Sequence, residues 1–148
     1  EEAGFQVMFT TFGAHPAACA AAAEVLKIMR EESLVESVND KGDYLMGRLN
    51  DSLSQHPCLG EVRGRGLLAG VELVKNRETL ERFPVELSVT NKVVGRGLEK
   101  GVFFYGGGTG EVRDLVCFGP AFTISESQID QVVDTFVECV NEVTGELG

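Results

Sequence analysis

The chain has 148 residues, 43% of them hydrophobic and 24% charged, which is enough for one globular domain with a modest core. Its net charge of −10 excludes a nucleic-acid phosphate backbone as the main partner, because such surfaces need a basic patch. No apolar run reaches bilayer length and no signal-peptide pattern opens the chain, so a cytoplasmic, membrane-free setting is expected.

The opening segment, "EEAGFQVMFTTFGA", has no helical period and reads as strand or loop. Pro16 then suits the first turn of a helix, where its missing N–H is harmless. The helix is expected to reach about Arg30, with His15 or Ala14 at its cap. Neither is a strong cap, so donors at this helix end are left looking for an acceptor. Its first half, "PAACAAAA", is apolar all round, the pattern of a buried helix.

A second helix fits Ser33 to Ser54, with Leu34, Val38, Leu45, Leu49 and Leu53 on one face, and Pro57 bars its continuation. "EVRGRGLLAGVELV" reads as a single bent or bulged strand from about Val62 to Val74, interrupted by Gly64, Gly66 and Gly70. After the polar connection "KNRETLERFP", a third helix is expected over Val85 to Lys100, with Gly101 just beyond its end. Val102–Tyr105 and Asp114–Phe118 are short strands by composition, joined by "GGGTGEVR" as a hairpin loop. Ser125 and Gln128 open a last helix with a capping box, and Ile129, Val132, Val133, Phe136, Val137 and Val140 give it a helical period.

The sum is an α+β fold: a small antiparallel sheet of about three strands, helices packed on one face, and a long alanine-rich helix in front. Two segments follow, residues 1–30 as a turn with its linking helix and residues 31–148 as the sheet domain. Without a neighbour to cover it, the alanine-rich helix is expected to bring two copies together, giving at least a dimer.

Few residues stand out chemically. Cys19, Cys58, Cys117 and Cys139 form no CxxC pair and have no histidine at ligand spacing, so free thiols in a reducing compartment are expected and no metal site. "RGRG" stands alone in an acidic chain and reads as a glycine-kinked strand, not an RNA-binding segment. "GGGTG" lacks the Lys-Ser/Thr of a phosphate loop. His15 reads as a structural cap. Thr10 and Thr11 place hydroxyls at a helix entrance, a position that suits a phosphate or carboxylate, though threonine is also common at strand ends.

In this order, "TFGAHPAACAAAAEVL", "VRGRGLLAGVELV", "KGVFFYGGG" and "LVCFGPAFTISESQID" resemble the C-terminal part of class III aminotransferases, fold-type I enzymes that use pyridoxal phosphate. The resemblance covers nearly the whole chain. It implies that Thr11 binds the phosphate of the neighbouring subunit's cofactor. It also implies that the following helix leads from a large domain into residues 31–148, the small C-terminal domain. The alanines would then permit close packing where domains and subunits meet. The turn departs from the family pattern, with Ala14 at the glycine position. The family's Schiff-base lysine and ring-binding aspartate lie upstream of this turn, and Lys27, Lys41, Lys75, Lys92 and Lys100 belong to no such motif. The resemblance therefore implies a chain that binds no pyridoxal phosphate by itself and does not transaminate alone. Tyr105 and Cys117 occupy the two positions where the family often places an arginine for the substrate carboxylate, and Pro120-Ala121 replaces its Pro-Pro. Tyr105 is a candidate substrate contact. Arg113 is a nearby cation that would substitute, or else a surface hairpin arginine. Three readings stand: part of an aminotransferase, a stand-alone binding or interaction module on the same fold, and one half of a split enzyme whose partner chain carries the lysine.

Overall fold

The computed structural model describes residues 11–110 and 112–147. The described residues divide into two compact units, one up to Val35 and one from Glu36 onward.

In the first unit, Thr11–Ala14 form a turn and α1 runs from Pro16 to Glu31. His15 holds the N-cap position in extended conformation, but its side chain makes no capping bond, contrary to the expected structural cap. Its ring instead stands edge-on to Phe12, 6.5 Å between centroids. Within its own unit α1 buries no residue, which corrects the expectation of a buried helix. Alanine is the strongest intrinsic helix former, so this run is helical without burial and its uniform apolarity is no measure of packing.

The second unit is α+β: α2 (Leu34–Leu53, beginning in the first unit), β1 (Leu59–Arg65), β2 (Leu68–Leu73), α3 (Val89–Glu99), β3 (Tyr105–Thr109), β4 (Val112–Phe118) and α4 (Glu126–Gly145). All four strands are antiparallel, in the order β1-β2-β4-β3. The expected single strand over Val62–Val74 is two strands joined at Gly66-Leu67. Gly66 has φ +55 and takes the first position of a two-residue hairpin loop, where glycine allows the backbone twist that matches the flanking strands. "GGG" is likewise strand and not loop: Gly106 pairs with Val116 and Gly107 with Leu115.

Alternation sorts the sheet into two faces. Ala69, Val71, Leu73, Val116 and Phe118 point inward and join Leu45, Leu49 and Leu53 of α2, Val89 and Val93 of α3, and Ile129, Val133, Phe136 and Val140 of α4 in one buried core. Phe104, Phe118 and Phe136 meet edge to face at its centre, with centroids 5.0–5.8 Å apart.

Charged pairs clasp the helices. Tyr44 Oη and Arg48 Nε both donate to Asp130 Oδ1, at 2.8 and 2.7 Å, and hold that carboxyl below its ordinary range. Lys100 reaches Glu138 and Glu142 of α4 at 2.8 and 2.9 Å, and these bonds raise its pKa. The capping box at Ser125 and Gln128 is present as the sequence predicts, and Gly101 follows α3 with φ +83. The third helix is interrupted: a single 3-10 turn, Val85–Leu87, is cut off from α3 by Ser88 at φ 48.

After α2 the chain turns on His56, whose Nδ1 accepts the Cys58 N–H at 3.1 Å. Burial pushes this imidazole below its ordinary 6.5, and a hydrogen bond with Asn141 opposes the shift. Above pH 6.5 both folded and unfolded chains hold His56 neutral, and its contribution to stability is fully present. On acidification the unfolded chain takes the proton first, so that contribution is lost as the pH falls through 6.5 toward the folded value. NMR titration of the imidazole is expected to give a midpoint below 6.5, and His56→Gln to lose less thermal stability than the wild type between pH 7 and pH 5. A midpoint at or above 6.5 would contradict this.

Candidate functional site

The two parts of the sequence that carry candidate chemistry lie in different units.

The first is the Thr11 turn. Ala14, at the position of the family glycine, adopts φ 60, a left-handed conformation that costs an alanine about 1–2 kcal/mol. The turn is closed by the His15 N–H donating to Phe12 O at 3.1 Å. Pro16 brings no N–H, and the first helical bond runs from Cys19 N to His15 O. The Ala17 and Ala18 N–H groups therefore have no acceptor among the described residues, and Thr11 makes no hydrogen bond there either. No acidic residue occupies the first turn of α1. A hydroxyl, two free amides and the positive end of a helix, with no competing anion, form a donor set that fits a phosphate group.

The second is a cleft at one end of the sheet, where β2 and β3 begin and β4 ends. Cys117 of β4 pairs with Tyr105 of β3 on one side and Gly70 of β2 on the other. Beside Tyr105 and Cys117 lies a cavity of about 410 Å³, lined by Leu68, Phe103, Tyr105, Cys117 and Pro120 together with the core residues Phe104 and Phe118 and with Val132 of α4. Leu68, Phe103 and Tyr105 are 70, 68 and 65% exposed, an unusual run of open apolar surface. The polar side-chain atoms lining it are the Tyr105 hydroxyl and the Cys117 thiol. The other three cysteines lie elsewhere, and all four are free.

Arg113 does not border this cleft. It lies four residues back along β4, about 13 Å at strand spacing. Its Nη2 donates to Phe83 O at 2.8 Å and its Nη1 to Gly110 O at 3.4 Å, while Nε is buried without a partner. Beside it is Asp114, which sequence reading passed over. This inward-facing carboxylate is only 7% exposed. Burial raises its pKa, while Arg113, Arg82 and the Thr90 N–H lower it. Ser88 makes no side-chain capping bond, so Asp114 caps α3 from across the fold. The signal in the sequence was a charged residue at an inward position of an alternating strand.

Each described lysine is either committed to a partner or exposed. Lys27 and Lys75 pair with Glu24 and Glu81, Lys41 donates to Phe122 O, Lys100 is held by two glutamates, and Lys92 is exposed. Among the described residues no group of three or more His, Cys, Asp or Glu could hold a metal, and no helix is long and apolar enough to cross a membrane.

Comparison with known proteins agrees with the motifs. Residues 6–140 match the family described as aminotransferase class-III. An uncharacterized aminotransferase of Schizosaccharomyces pombe is 39% identical over 142 residues, 94% of this chain and 31% of that protein. The putrescine–pyruvate aminotransferase of Pseudomonas aeruginosa is 37% identical over 133 residues, 89% of this chain and 28% of that protein. A transaminase structure from the marine bacterium Virgibacillus superposes with a TM-score of 0.89 at 32% identity, over 98% of this chain and 32% of its own. The chain belongs to the class III aminotransferases, a family that uses pyridoxal phosphate, and matches their C-terminal small domain. It spans about three tenths of the length of the relatives it matches.

Proposed function

We propose that this chain serves as the small-domain part of a pyridoxal-phosphate-dependent aminotransferase, moving an amino group between an amine or amino acid and a keto acid or aldehyde. Bound pyridoxal phosphate supplies the electron sink for that chemistry. The chain's own share is to hold and to shape. Thr11, with the Ala17 and Ala18 amides, binds the phosphate of the cofactor in a neighbouring subunit, so the working assembly is at least a homodimer. Tyr105, with Phe103 and Leu68, walls the substrate side. Arg113 enters as a tie between β4 and the Phe83 loop, because both of its Nη atoms are committed to carbonyls.

The observation that carries this reading is the donor set at the Thr11 turn within a chain whose family match runs almost end to end. The 148 residues by themselves do not transaminate, because every described lysine is exposed, paired or bound to a carbonyl. A lysine-bearing domain, in the same polypeptide or in a partner chain, completes the site.

The test is a hybrid enzyme in which this chain replaces the matching segment of the Pseudomonas putrescine–pyruvate aminotransferase. The hybrid is expected to bind pyridoxal phosphate and transfer amino groups. Thr11→Val in the hybrid is expected to weaken cofactor binding about tenfold, the loss of one hydrogen bond to a charged group. The isolated chain is expected to show no turnover and no stoichiometric cofactor adduct at a single lysine. A folded hybrid indifferent to Thr11→Val, or turnover by the isolated chain, would overturn the reading.

A further inference from the structure

We infer that Asp114 is a positioning residue: with Thr90 it holds the first turn of α3 against β3, and through Gly106 it sets where Tyr105 stands at the cleft. This deepens the aminotransferase reading, and rests on it for the part Tyr105 plays as a substrate wall.

Thr90 and Asp114 are the two buried polar residues among the described residues, each 7% exposed, and they meet at one place in the fold. Asp114 takes an inward position of β4, in line with Val116 and Phe118, where alternation calls for an apolar residue. A carboxylate there costs desolvation, offset by Arg113 and Arg82 nearby and by the Thr90 N–H. Ser88, at φ 48, gives α3 no side-chain cap, so the Thr90 N–H takes its acceptor from β4. Thr90 fastens the same turn a second time, because its Oγ1 donates to Arg113 O at 3.3 Å. The start of α3 is thus tied to two successive residues of β4.

The tie matters because β3 has little else to fix it. It is a border strand, its register with β4 slips between Gly107 and Thr109, and its three glycines bring no side chains to pack. Its support comes from α3. A Cβ built on Gly106 would lie 3.1 Å from Thr90 Cγ2 and 3.9 Å from Val94 Cγ2, atoms of two residues on one face of that helix. Gly106 adjoins Tyr105, whose side chain is 65% exposed and lines the cleft. The place of the phenol therefore follows the backbone of β3, and that backbone follows the first turn of α3. Removing the Asp114 carboxylate frees Thr90, withdraws the support beside Gly106 and shifts Tyr105, while the core around α4 stays as it is.

The chain contains two tyrosines, so labelling the intact protein with 3-fluorotyrosine gives two ¹⁹F resonances. Tyr44, bound to Asp130, is the internal control. Asp114→Ala is expected to move the Tyr105 resonance and to speed amide hydrogen exchange at Thr90 about tenfold, leaving the Tyr44 resonance and the exchange of Val133 and Phe136 in α4 at their wild-type values. Asp114→Asn keeps an oxygen that accepts the Thr90 N–H, and is expected to restore both readings. Gly106→Ala leaves Asp114 in place and presses on Thr90 from the side of β3, so it too is expected to speed exchange at Thr90. A Tyr105 resonance indifferent to Asp114→Ala, or no restoration by Asp114→Asn, would overturn the inference. So would wild-type exchange at Thr90 in Gly106→Ala. A loss in Asp114→Ala felt equally at Tyr44 and along α4 would mark Asp114 as support for the whole fold, and would overturn it as well. Because these measurements contain no cofactor and no second domain, their failure leaves the aminotransferase reading to the hybrid enzyme.

Discussion

Phe136→Ala is expected to remove about 3–5 kcal/mol of folding stability, read as the shift in the urea unfolding midpoint at unchanged slope. Phe136 is fully buried and lies edge to face with Phe104 at 5.5 Å and Phe118 at 5.0 Å. These three rings join α4, the segment before β3 and the end of β4, so truncation removes apolar area and two aromatic contacts together. The cavity left behind is ringed by residues fixed on three different elements, and it cannot collapse cheaply. Against a total stability of about 5–15 kcal/mol for a domain of this kind, the loss leaves a chain near its unfolding threshold. A shift worth under about 1 kcal/mol would show that the rings do not form the centre of the core.

The second large effect separates two glycines of one helix. Alanine exceeds glycine in helix propensity by about 1 kcal/mol, so propensity alone favours both Gly42→Ala and Gly47→Ala in α2. At Gly47 a methyl group meets nothing within 4 Å, and that variant is expected to gain about 0.5–1 kcal/mol. At Gly42 a methyl group meets the backbone of Gly66, the residue that turns the β1–β2 hairpin. Backbone in a two-residue loop has nowhere to move, and Gly66 is itself close to Val38 of α2. Overpacking there is expected to cost about 3 kcal/mol, the upper end of its usual range, and to overwhelm the propensity gain. Thermal unfolding of the two variants side by side is the check, and shifts of the same sign would refute the close approach of α2 to the hairpin.

That close approach also shows which parts of the fold were legible in the sequence. The start of α4 was readable because a capping box is a contract between residues three apart. The end of α3 was readable because Gly101 sits where a left-handed residue is needed. Gly66 was not, since a glycine after "RGR" serves a bulge or a turn equally well, and the choice is made by Leu68–Leu73 pairing back on β1. The strand in "GGGT" was invisible because glycine carries no strand preference, and its pairing comes from β4. Ser88 gave no hint of its left-handed backbone, and its missing cap is supplied by Asp114, distant in the chain.

The candidate sites divide in the same way. Thr11 was legible as a hydroxyl at a helix entrance, while its role toward a cofactor came only from resemblance. Tyr105 and Cys117 were legible as positions in a family pattern, but that they form a cleft with Leu68 depends on strand order.

The glycine strand has one more effect, on colloidal behaviour. β3 is a border strand of the sheet, and Gly106, Gly107 and Gly108 offer no side chains to keep another chain's backbone from docking alongside. Charge guards the opposite border, where Glu61, Arg63 and Arg65 stand in a row on β1. The guard on β3 is a kink: pairing with β4 slips between Gly107 and Thr109, and Gly108 turns to φ +88. A twisted, interrupted border is a poor template for edge-to-edge growth. The conformational freedom that hid this strand from sequence reading is what keeps it from seeding fibrils.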